Sequence, residues 1–176
     1  MATEIERKFL VRGDGWRAAA ERSEPMAQGY LNRIDGLVGA DRASVRVRLE
    51  GPRAALNIKS CEPGRSRQEF EYPLPVEDAR ALLELCTGGR VEKRRHYVRH
   101  GAHLWEVDEF GGDNAGLVVA EVELSALEED FERPQWLGPE VTDFQRYYNI
   151  ALSARPFCEW SEAERRGPDG GEGNAR

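Results

Sequence analysis

Short segments in which charged and apolar residues alternate recur along most of this chain, and they restrict its fold more than any other feature. The first segment, EIERKFLV, places Glu4, Glu6 and Lys8 at every second position. Successive side chains of a β-strand point to opposite faces, so a strand here carries these three charges on one face. The same period of two recurs in the segments QGYLNRI, ASVRVRLE, AALNIKS, RQEFEYPL, EKRRHYVRH, HLWEVDEF and GLVVAEVEL. Gly and Pro residues separate the segments, so the pattern predicts eight strands, a number that suits a closed barrel or a strongly curved sheet.

Helices are expected in a few places between and after the strands. The segment PVEDARALLELCTGG has apolar residues at near-helical spacing and ends in a Gly-Gly stop signal. A second helix is predicted from Thr142, with Gln145 at capping-box spacing, and a short one within Gly13–Glu24. The predicted fold class is therefore mainly β with flanking helices (α+β). We expect one domain over residues 1–160 and a polar, glycine-rich, disordered tail over 161–176.

Composition limits the functional classes that fit the chain. It has 176 residues, 32% of them charged, and a net charge of -7, which argues against non-specific binding of nucleic acid. No apolar run approaches the length of a membrane span, and the start of the sequence lacks the apolar segment of a signal peptide. Cys61, Cys86 and Cys158 form no CxxC pair and suit free thiols in a reducing cytosol. We therefore expect a cytoplasmic protein without nucleic-acid or membrane partners.

The charged faces of the predicted strands allow two interpretations. Each face alone is typical of the solvated side of an antiparallel sheet. Together, however, the segments crowd like charges at i, i+2, which costs free energy unless opposite charges lie among them. The chain also has only three Thr residues, although Thr is common on exposed strand faces. The alternative is that the faces line a shared interior, where carboxylates suit Mg²⁺ or Mn²⁺ and Lys and Arg residues suit phosphate.

The order of these segments resembles the CYTH superfamily of triphosphate tunnel metalloenzymes. The N-terminal ExExK motif, here EIERK, is followed in the family's order by QGYL, VRVR, LNIKS, QEFEYPL, EKRRHY, WEVDEF, AEVEL and VTDFQRYYN. The resemblance covers most of the chain, from Met1 to Phe157. It implies an eight-stranded antiparallel closed β-barrel whose charged tunnel binds a triphosphate together with divalent metal.

The same resemblance implies a role for each charged residue. The principal metal ligands are expected to be Glu4, Glu6, Glu121 and Glu123. Second-site or water-mediated ligands are expected to be Glu69, Glu71 and Asp108, and Glu106 could take the same part. The phosphate-binding residues are expected to be Lys8, Arg46, Arg48, Lys59, Lys93 and Arg95. Catalytic roles are expected for Lys93 and Arg95 at the leaving pyrophosphate oxygen, and for Tyr30 in shaping water attack or product escape.

Within the family, the short length, the QGYL block and the EIERKFLV start resemble the bacterial inorganic tripolyphosphatases most closely. This implies hydrolysis of tripolyphosphate to pyrophosphate and phosphate, dependent on Mg²⁺ or Mn²⁺. A class IV adenylyl cyclase, a thiamine triphosphatase and a non-catalytic receptor for polyphosphate or a nucleotide remain alternatives. The expected partner is a small polyanionic substrate, either tripolyphosphate or a nucleoside triphosphate. The sequence leaves the oligomeric state open, a homodimer included.

Overall fold

The computed structural model describes residues 2–32, 43–60 and 66–168, and of residues 2–4, 66 and 67 it describes the backbone. The strands are β1 Ala2–Val11, β2 Ala20–Tyr30, β3 Ala43–Glu50, β4 Arg53–Ser60, β5 Ser66–Pro73, β6 Val91–His100, β7 His103–Phe110, β8 Val118–Glu123 and β9 Leu137–Glu140. The helices are α1 Val76–Glu84, α2 Asn149–Ala154 and α3 Glu162–Arg166. All eight predicted strands are present, although β2 begins at Ala20 rather than Gln28. The predicted end of that strand, Ile34, lies outside the described residues.

The strands form one antiparallel sheet that curls until the edge strand β5 pairs with part of β1. The strand order is β5-β4-β3-β2-β6-β7-β8-β1-β9, and β1 also pairs with β5. This arrangement confirms a mainly antiparallel β-fold with flanking helices. It corrects the prediction of an eight-stranded closed barrel, because the sheet has nine strands and the seam between β1 and β5 is paired over only four residue pairs, from Ala2↔Glu69 to Ile5↔Ser66. Closure is incomplete because β5 pairs only with the first half of β1. In the later half, Phe9 and Val11 pair with β9 instead.

No pattern in the sequence predicts β9, the ninth strand. Its residues are Leu137, Gly138, Pro139 and Glu140, which do not alternate in polarity. Pro removes a backbone donor and is confined to strand edges, so a pattern of this kind argues against a strand. The strand forms because β1 offers it a partner, and that partner lies more than a hundred residues earlier in the chain.

The alternation sends apolar side chains to the outer face of the sheet and charged side chains to its inner face. On the outer face, Phe9 of β1, Trp105 and Val107 of β7 and Val122 of β8 belong to one buried cluster. Trp16, from the segment between β1 and β2, is buried in the same cluster. The outer face therefore packs into a hydrophobic core, and the inner face carries the charged side chains.

The predicted helix in PVEDARALLELCTGG is confirmed as α1. Its Ala79 and Leu83 are buried against Val47 of β3 and Ala54 of β4. The end of the helix lies so near β2 that a Cβ atom on Gly29 would stand 2.7 Å from the Sγ atom of Cys86. A glycine is therefore needed at this position of the QGYL block.

The helix predicted from Thr142 begins later than expected. The Thr142 hydroxyl accepts a hydrogen bond from the backbone N–H of Lys8 at 3.0 Å and donates one to Glu140 at 2.7 Å. It therefore ties this segment to β1 instead of capping a helix. A single 3₁₀ turn covers Gln145–Tyr147, and α2 starts only at Asn149.

The short helix predicted within Gly13–Glu24 is also wrong. A 3₁₀ turn spans Arg17–Ala19, and β2 begins directly after it. The Asp14 carboxylate accepts a hydrogen bond from the Arg17 guanidinium beside this turn. Residues from Ala20 to Gln28 pair with β6, so the backbone hydrogen bonds of this segment are made across the sheet.

The described part of the C-terminal segment contains the short helix α3. Ser161 and Glu164 form a reciprocal capping box at the start of α3, and Trp160 just before it is buried in the core. The disordered tail expected over 161–176 stays a prediction, within which the structure describes 161–168 with the short helix α3. Residues 169–176 lie outside the described residues.

Two further observations concern the cysteines and the possibility of a membrane-spanning helix. Cys86 and Cys158 are free cysteines, as predicted, and Cys61 lies outside the described residues. Among the described residues, no helix has both the length and the apolar character needed to cross a membrane.

Candidate active site

The inner face of the curled sheet surrounds a cavity of about 240 Å³. Its wall includes side chains from β1 through β8. All of the predicted phosphate-binding residues line it, namely Lys8, Arg46, Arg48, Lys59, Lys93 and Arg95. So do the predicted metal ligands Glu6, Glu69, Glu71, Glu121 and Glu123, together with Glu106. The structure therefore favours a shared charged interior over separate solvated faces.

One part of this wall is a tightly packed set of ion pairs, here called the buried network: Lys8, Lys93, Arg95, Asp108 and Glu121. Glu121 accepts from Lys8 Nζ at 2.7 Å and from Arg95 Nη2 at 2.9 Å. Asp108 accepts from Lys93 Nζ at 2.5 Å and from Arg95 Nη2 at 2.7 Å. Arg95 also pairs with Glu106. Strand register explains these contacts, because Lys8 is directly opposite Glu121 and Arg95 is directly opposite Asp108.

The buried network shifts the pKa values of its members in opposite directions. Burial disfavours the charge of Lys8, but Glu121 and Glu6 outweigh it and raise the pKa of this ammonium above its ordinary value. Burial likewise disfavours the charge of Glu121, yet Lys8 and Arg95 hold the pKa of this carboxyl well below its ordinary value. Both groups are therefore charged at neutral pH.

Lys93 differs from Lys8 in this respect. Burial, together with the neighbouring positive charge of Arg95, lowers the pKa of Lys93 to about 8, although Asp108 opposes the shift. A lysine with a lowered pKa gives up its proton more readily than an ordinary one. Lys93 is therefore the member of the network that is best suited to proton transfer near neutral pH.

The structure places Asp108 behind the wall of the cavity. The residue is 1% exposed, and Lys93 and Arg95 occupy both of its carboxylate oxygens. These two cations hold the pKa of Asp108 below its ordinary value against the effect of burial. In this arrangement the carboxylate supports the two cations, and it is the one predicted ligand with a described side chain that the cavity does not reach.

The opposite part of the wall, here called the open clamp, consists of Arg46, Arg48, Lys59, Glu69 and Glu71. Its pairs are looser, with 3.7 Å from Arg46 Nη2 to Glu69 Oε1 and 3.4 Å from Lys59 Nζ to Glu69 Oε2. Arg48 Nη2 lies 2.8 Å from Glu71 Oε2, but that carboxylate is 50% exposed. These cations are therefore held less firmly than those of the buried network.

The carboxylates of β1, β7 and β8 have the chemistry of a site for a hard divalent cation. Glu6 is directly opposite Glu123, and Glu121 is directly opposite Glu106. Like charges directly opposite each other are destabilising, and oxygen-only donors suit Mg²⁺ or Mn²⁺. The donor set therefore fits such an ion. Among the described side chains, however, no three acidic, histidine or cysteine residues are gathered closely enough to form a ready metal site, and the Glu4 side chain lies outside the description.

Tyr30 lies in the cavity wall, as expected, and is 6% exposed. The Tyr30 hydroxyl accepts a hydrogen bond from Gln28 Nε2 at 3.3 Å. Gln28 is itself a cavity residue that the sequence analysis missed, although it lies two residues before Tyr30 and so shares its strand face.

One end of the cavity is lined by the segment that precedes and begins α2. Tyr148, Asn149 and Ile150 contribute to the wall, and the Lys8 ammonium lies 4.8 Å from the centre of the Tyr148 ring. Tyr147, in contrast, is 1% exposed and belongs to a hydrophobic cluster. No periodic pattern in the sequence separates these two neighbouring tyrosines.

Comparisons with known proteins agree with this arrangement. The chain is 40% identical to an inorganic triphosphatase of Acetivibrio thermocellus over 164 residues, which cover 92% of this chain and 100% of that protein. It is 39% identical to an inorganic triphosphatase of Nitrosomonas europaea over 158 residues, covering 86% of this chain and 97% of that protein. The fold is similar to the crystal structure of the inorganic triphosphatase NE1496, with a TM-score of 0.61 and 35% identity over 87% of this chain and 95% of that one.

The family comparison covers nearly the whole of the described sheet. Residues 2–153 match the family described as CYTH domain. This range includes β1 through β9 and most of α2, and so contains every residue of the cavity wall. The chain belongs to the CYTH domain family.

Proposed function

We propose that this protein hydrolyses inorganic tripolyphosphate to pyrophosphate and phosphate with the help of a divalent metal ion. The observation that carries the proposal is one small cavity whose wall holds six cationic side chains among carboxylates from several strands. Rows of Lys and Arg suit a polyanion, and the carboxylates suit the metal that such a polyanion binds. Two relatives at about 40% identity carry the name inorganic triphosphatase, which supports the same activity here.

The size of the cavity favours an inorganic substrate over a nucleoside triphosphate. Pockets that enclose drug-sized molecules typically measure roughly 300 to 1,000 Å³. The charged cavity, at about 240 Å³, lies below this range. A second cavity of about 420 Å³ shares Tyr30 and Ile150 with it, and an organic group could extend into that space. A nucleotide or thiamine triphosphate substrate is therefore the second candidate.

The metal is proposed to be Mg²⁺ or Mn²⁺. Glu6, Glu121 and Glu123 would hold it with Glu4, and Glu69 and Glu71 would serve a second site. When bound, such an ion neutralises phosphate charge and acidifies the attacking water. Asp108 was expected among the second-site ligands, and its ion pairs with Lys93 and Arg95 support a role in holding these two cations instead.

Side chains of this protein would bind the phosphate oxygens, stabilise the leaving pyrophosphate and orient the attacking water. Arg46, Arg48 and Lys59 would move from their carboxylate partners to phosphate oxygens, since their present ion pairs are loose or exposed. Arg95 would stabilise negative charge on the leaving pyrophosphate oxygen, and Lys93 would donate a proton to that oxygen. Tyr30, in the wall beside Gln28, would help to orient the attacking water.

An assay with purified protein tests the proposal. The protein is incubated with tripolyphosphate, ATP or thiamine triphosphate, with Mg²⁺, with Mn²⁺ and with a chelator, and phosphate, pyrophosphate and cyclic AMP are measured. We expect metal-dependent release of pyrophosphate and phosphate from tripolyphosphate, faster than from the other substrates. Cyclic AMP from ATP would instead favour the cyclase alternative, and tight binding without turnover of any substrate would favour a receptor.

Several expectations stay predictions from the sequence. They are the single domain over residues 1–160, the cytoplasmic location, the lack of nucleic-acid and membrane partners, and the oligomeric state.

A further inference from the structure

Asn57 of β4 lies beneath the open clamp and contacts both of its carboxylates. The residue is 0% exposed, and its Nδ2 group donates to Glu69 Oε1 at 3.0 Å and to Glu71 Oε2 at 2.6 Å. Strand register explains this position, because Asn57 is directly opposite Glu71 on one side and Arg46 on the other. One neutral amide therefore stands between a basic strand and an acidic strand.

Asn57 and Arg46 each have one buried polar atom without a hydrogen bond among the described residues. The Oδ1 atom of Asn57 and the Nε atom of Arg46 are buried and have no hydrogen-bond partner among the described residues. One is an acceptor and the other a donor, and their residues face each other across the β3–β4 ladder. Buried polar groups are nearly always paired in folded proteins, so two complementary unpaired groups on facing residues call for an explanation.

We propose that Asn57 is a positioning residue for triphosphate binding, an inference that rests on the function proposed above. When phosphate draws Arg46, Arg48 and Lys59 away from the clamp carboxylates, Asn57 keeps its hold on Glu69 and Glu71. It can do so because its side chain is buried and forms no part of the cavity wall. The Nε–H group of the displaced Arg46 then donates to the waiting Oδ1 atom of Asn57.

The Asn57 amide favours substrate binding because its N–H groups stabilise the negative charges of Glu69 and Glu71. Without its two N–H donors, Glu69 and Glu71 in the metal-free protein would depend more strongly on the clamp cations, and phosphate would have to break stronger ion pairs. Hydrogen bonds to charged groups have a net strength that corresponds to roughly 10- to 100-fold in an equilibrium constant. We therefore expect loss of the amide to weaken tripolyphosphate binding by a factor in this range.

The substitution Asn57→Leu tests the inference, since leucine is similar in size but has no donor. Tripolyphosphate binding to the chelator-treated protein is measured by isothermal titration calorimetry, both alone and in a Glu69→Gln, Glu71→Gln background. We expect a roughly 10- to 100-fold higher Kd in the natural background and less than about a threefold change where the carboxylates are neutral. An equal loss in the two backgrounds would show a merely structural role and overturn the inference, as would no loss in either.

Two further variants serve as controls. Asn114→Leu removes another buried asparagine, 1% exposed, whose Oδ1 atom accepts from the backbone N–H of Phe157, and it should leave Kd unchanged. Asn57→Ser keeps one donor and should give an intermediate Kd, which also covers the case in which the leucine variant does not fold. If the natural protein binds tripolyphosphate but releases no phosphate, the proposed function fails and the inference is still tested. If it hydrolyses tripolyphosphate and Asn57→Leu binds normally, the inference alone fails.

Discussion

The buried network and the open clamp contain the same kinds of side chain but hold them in different ways. In the network, the Lys93 and Asp108 side chains are each 1% exposed and lie 2.5 Å apart. In the clamp, Lys59 and Glu69 are 17% and 20% exposed and lie 3.4 Å apart. Partners of buried ion pairs are costly to separate, whereas exposed or loose pairs contribute little. The comparison indicates that the network provides a fixed arrangement of charge and that the clamp provides cations that are able to move.

The largest effect is expected from Arg95→Leu, which breaks the centre of the buried network. Arg95 pairs with Glu106, Asp108 and Glu121, and its loss leaves buried carboxylates with fewer partners. Breaking one side of a buried ion pair typically costs about 3 to 5 kcal/mol. Urea denaturation should therefore show a loss of stability of about this size.

Arg46→Leu is the matched control in the open clamp. Arg46 is about as buried as Arg95, at 9% exposed each, but its ion pair with Glu69 is 3.7 Å long. We expect a much smaller change in the free energy of unfolding. Equal losses for the two variants would contradict the distinction between the two parts of the wall.

The next largest effect is expected from Glu121→Gln, which should lower the rate of turnover. This carboxylate is a proposed metal ligand that also holds Lys8 and Arg95. Substitutions in the second shell of metal sites cost roughly 10- to 100-fold, so replacing a direct ligand should lower metal-dependent kcat by more than about 100-fold. Steady-state phosphate release measures the loss, and thermal unfolding shows whether the variant still folds.

Glu140→Gln is a suitable comparison for this variant. Glu140 is an acidic residue of β9 that pairs with Arg7 on the outer side of β1 and does not line the cavity. Its substitution should leave turnover near the natural value. Full activity of Glu121→Gln would show that the proposed ligand assignment is wrong.

The smallest effect is expected from Lys59→Met in the open clamp. Lys59 lines the cavity and lies 3.4 Å from Glu69, so it is proposed to move to phosphate when substrate binds. Loss of one charge-assisted contact should raise KM roughly tenfold and change kcat little. Steady-state kinetics with tripolyphosphate checks this split, and Lys59→Arg should keep most of the affinity. A large fall in kcat with unchanged KM would place Lys59 at the reacting phosphate instead.

The period of two in the sequence predicted most of the sheet and most of the cavity wall. Residues such as Lys8 and Glu121 were found because charges at every second position of a strand share a face. Gln28 was open to the same argument, since it precedes Tyr30 by two residues, but a neutral amide gives no charge signal. Asn57 escaped for the same reason, although it is directly opposite two of the charged residues.

Local signals failed where distant strands supply the partners. The start of β2 resembles a short helix, yet its backbone groups pair with β6, seventy or so residues later. Thr142 resembles a helix cap, yet its hydroxyl bonds to β1. In both cases a local hydrogen-bond pattern gives way to a partner that only the folded chain brings near, because tertiary context routinely overrides weak local preferences.

By itself, the sequence determined that this chain forms strands with one apolar and one charged face, and which charges each face carries. That follows from the geometry of a strand, which fixes the side on which every second residue lies. The tertiary structure decided which of those charged side chains belong to the buried network and which to the open clamp. Strand register set Arg95 directly opposite Asp108 and Lys59 directly opposite Glu69, and burial depth made the first pair short and enclosed and the second long and more exposed. The strength of an ion pair depends on its distance and its exposure to water, and neither quantity is written in the order of the residues.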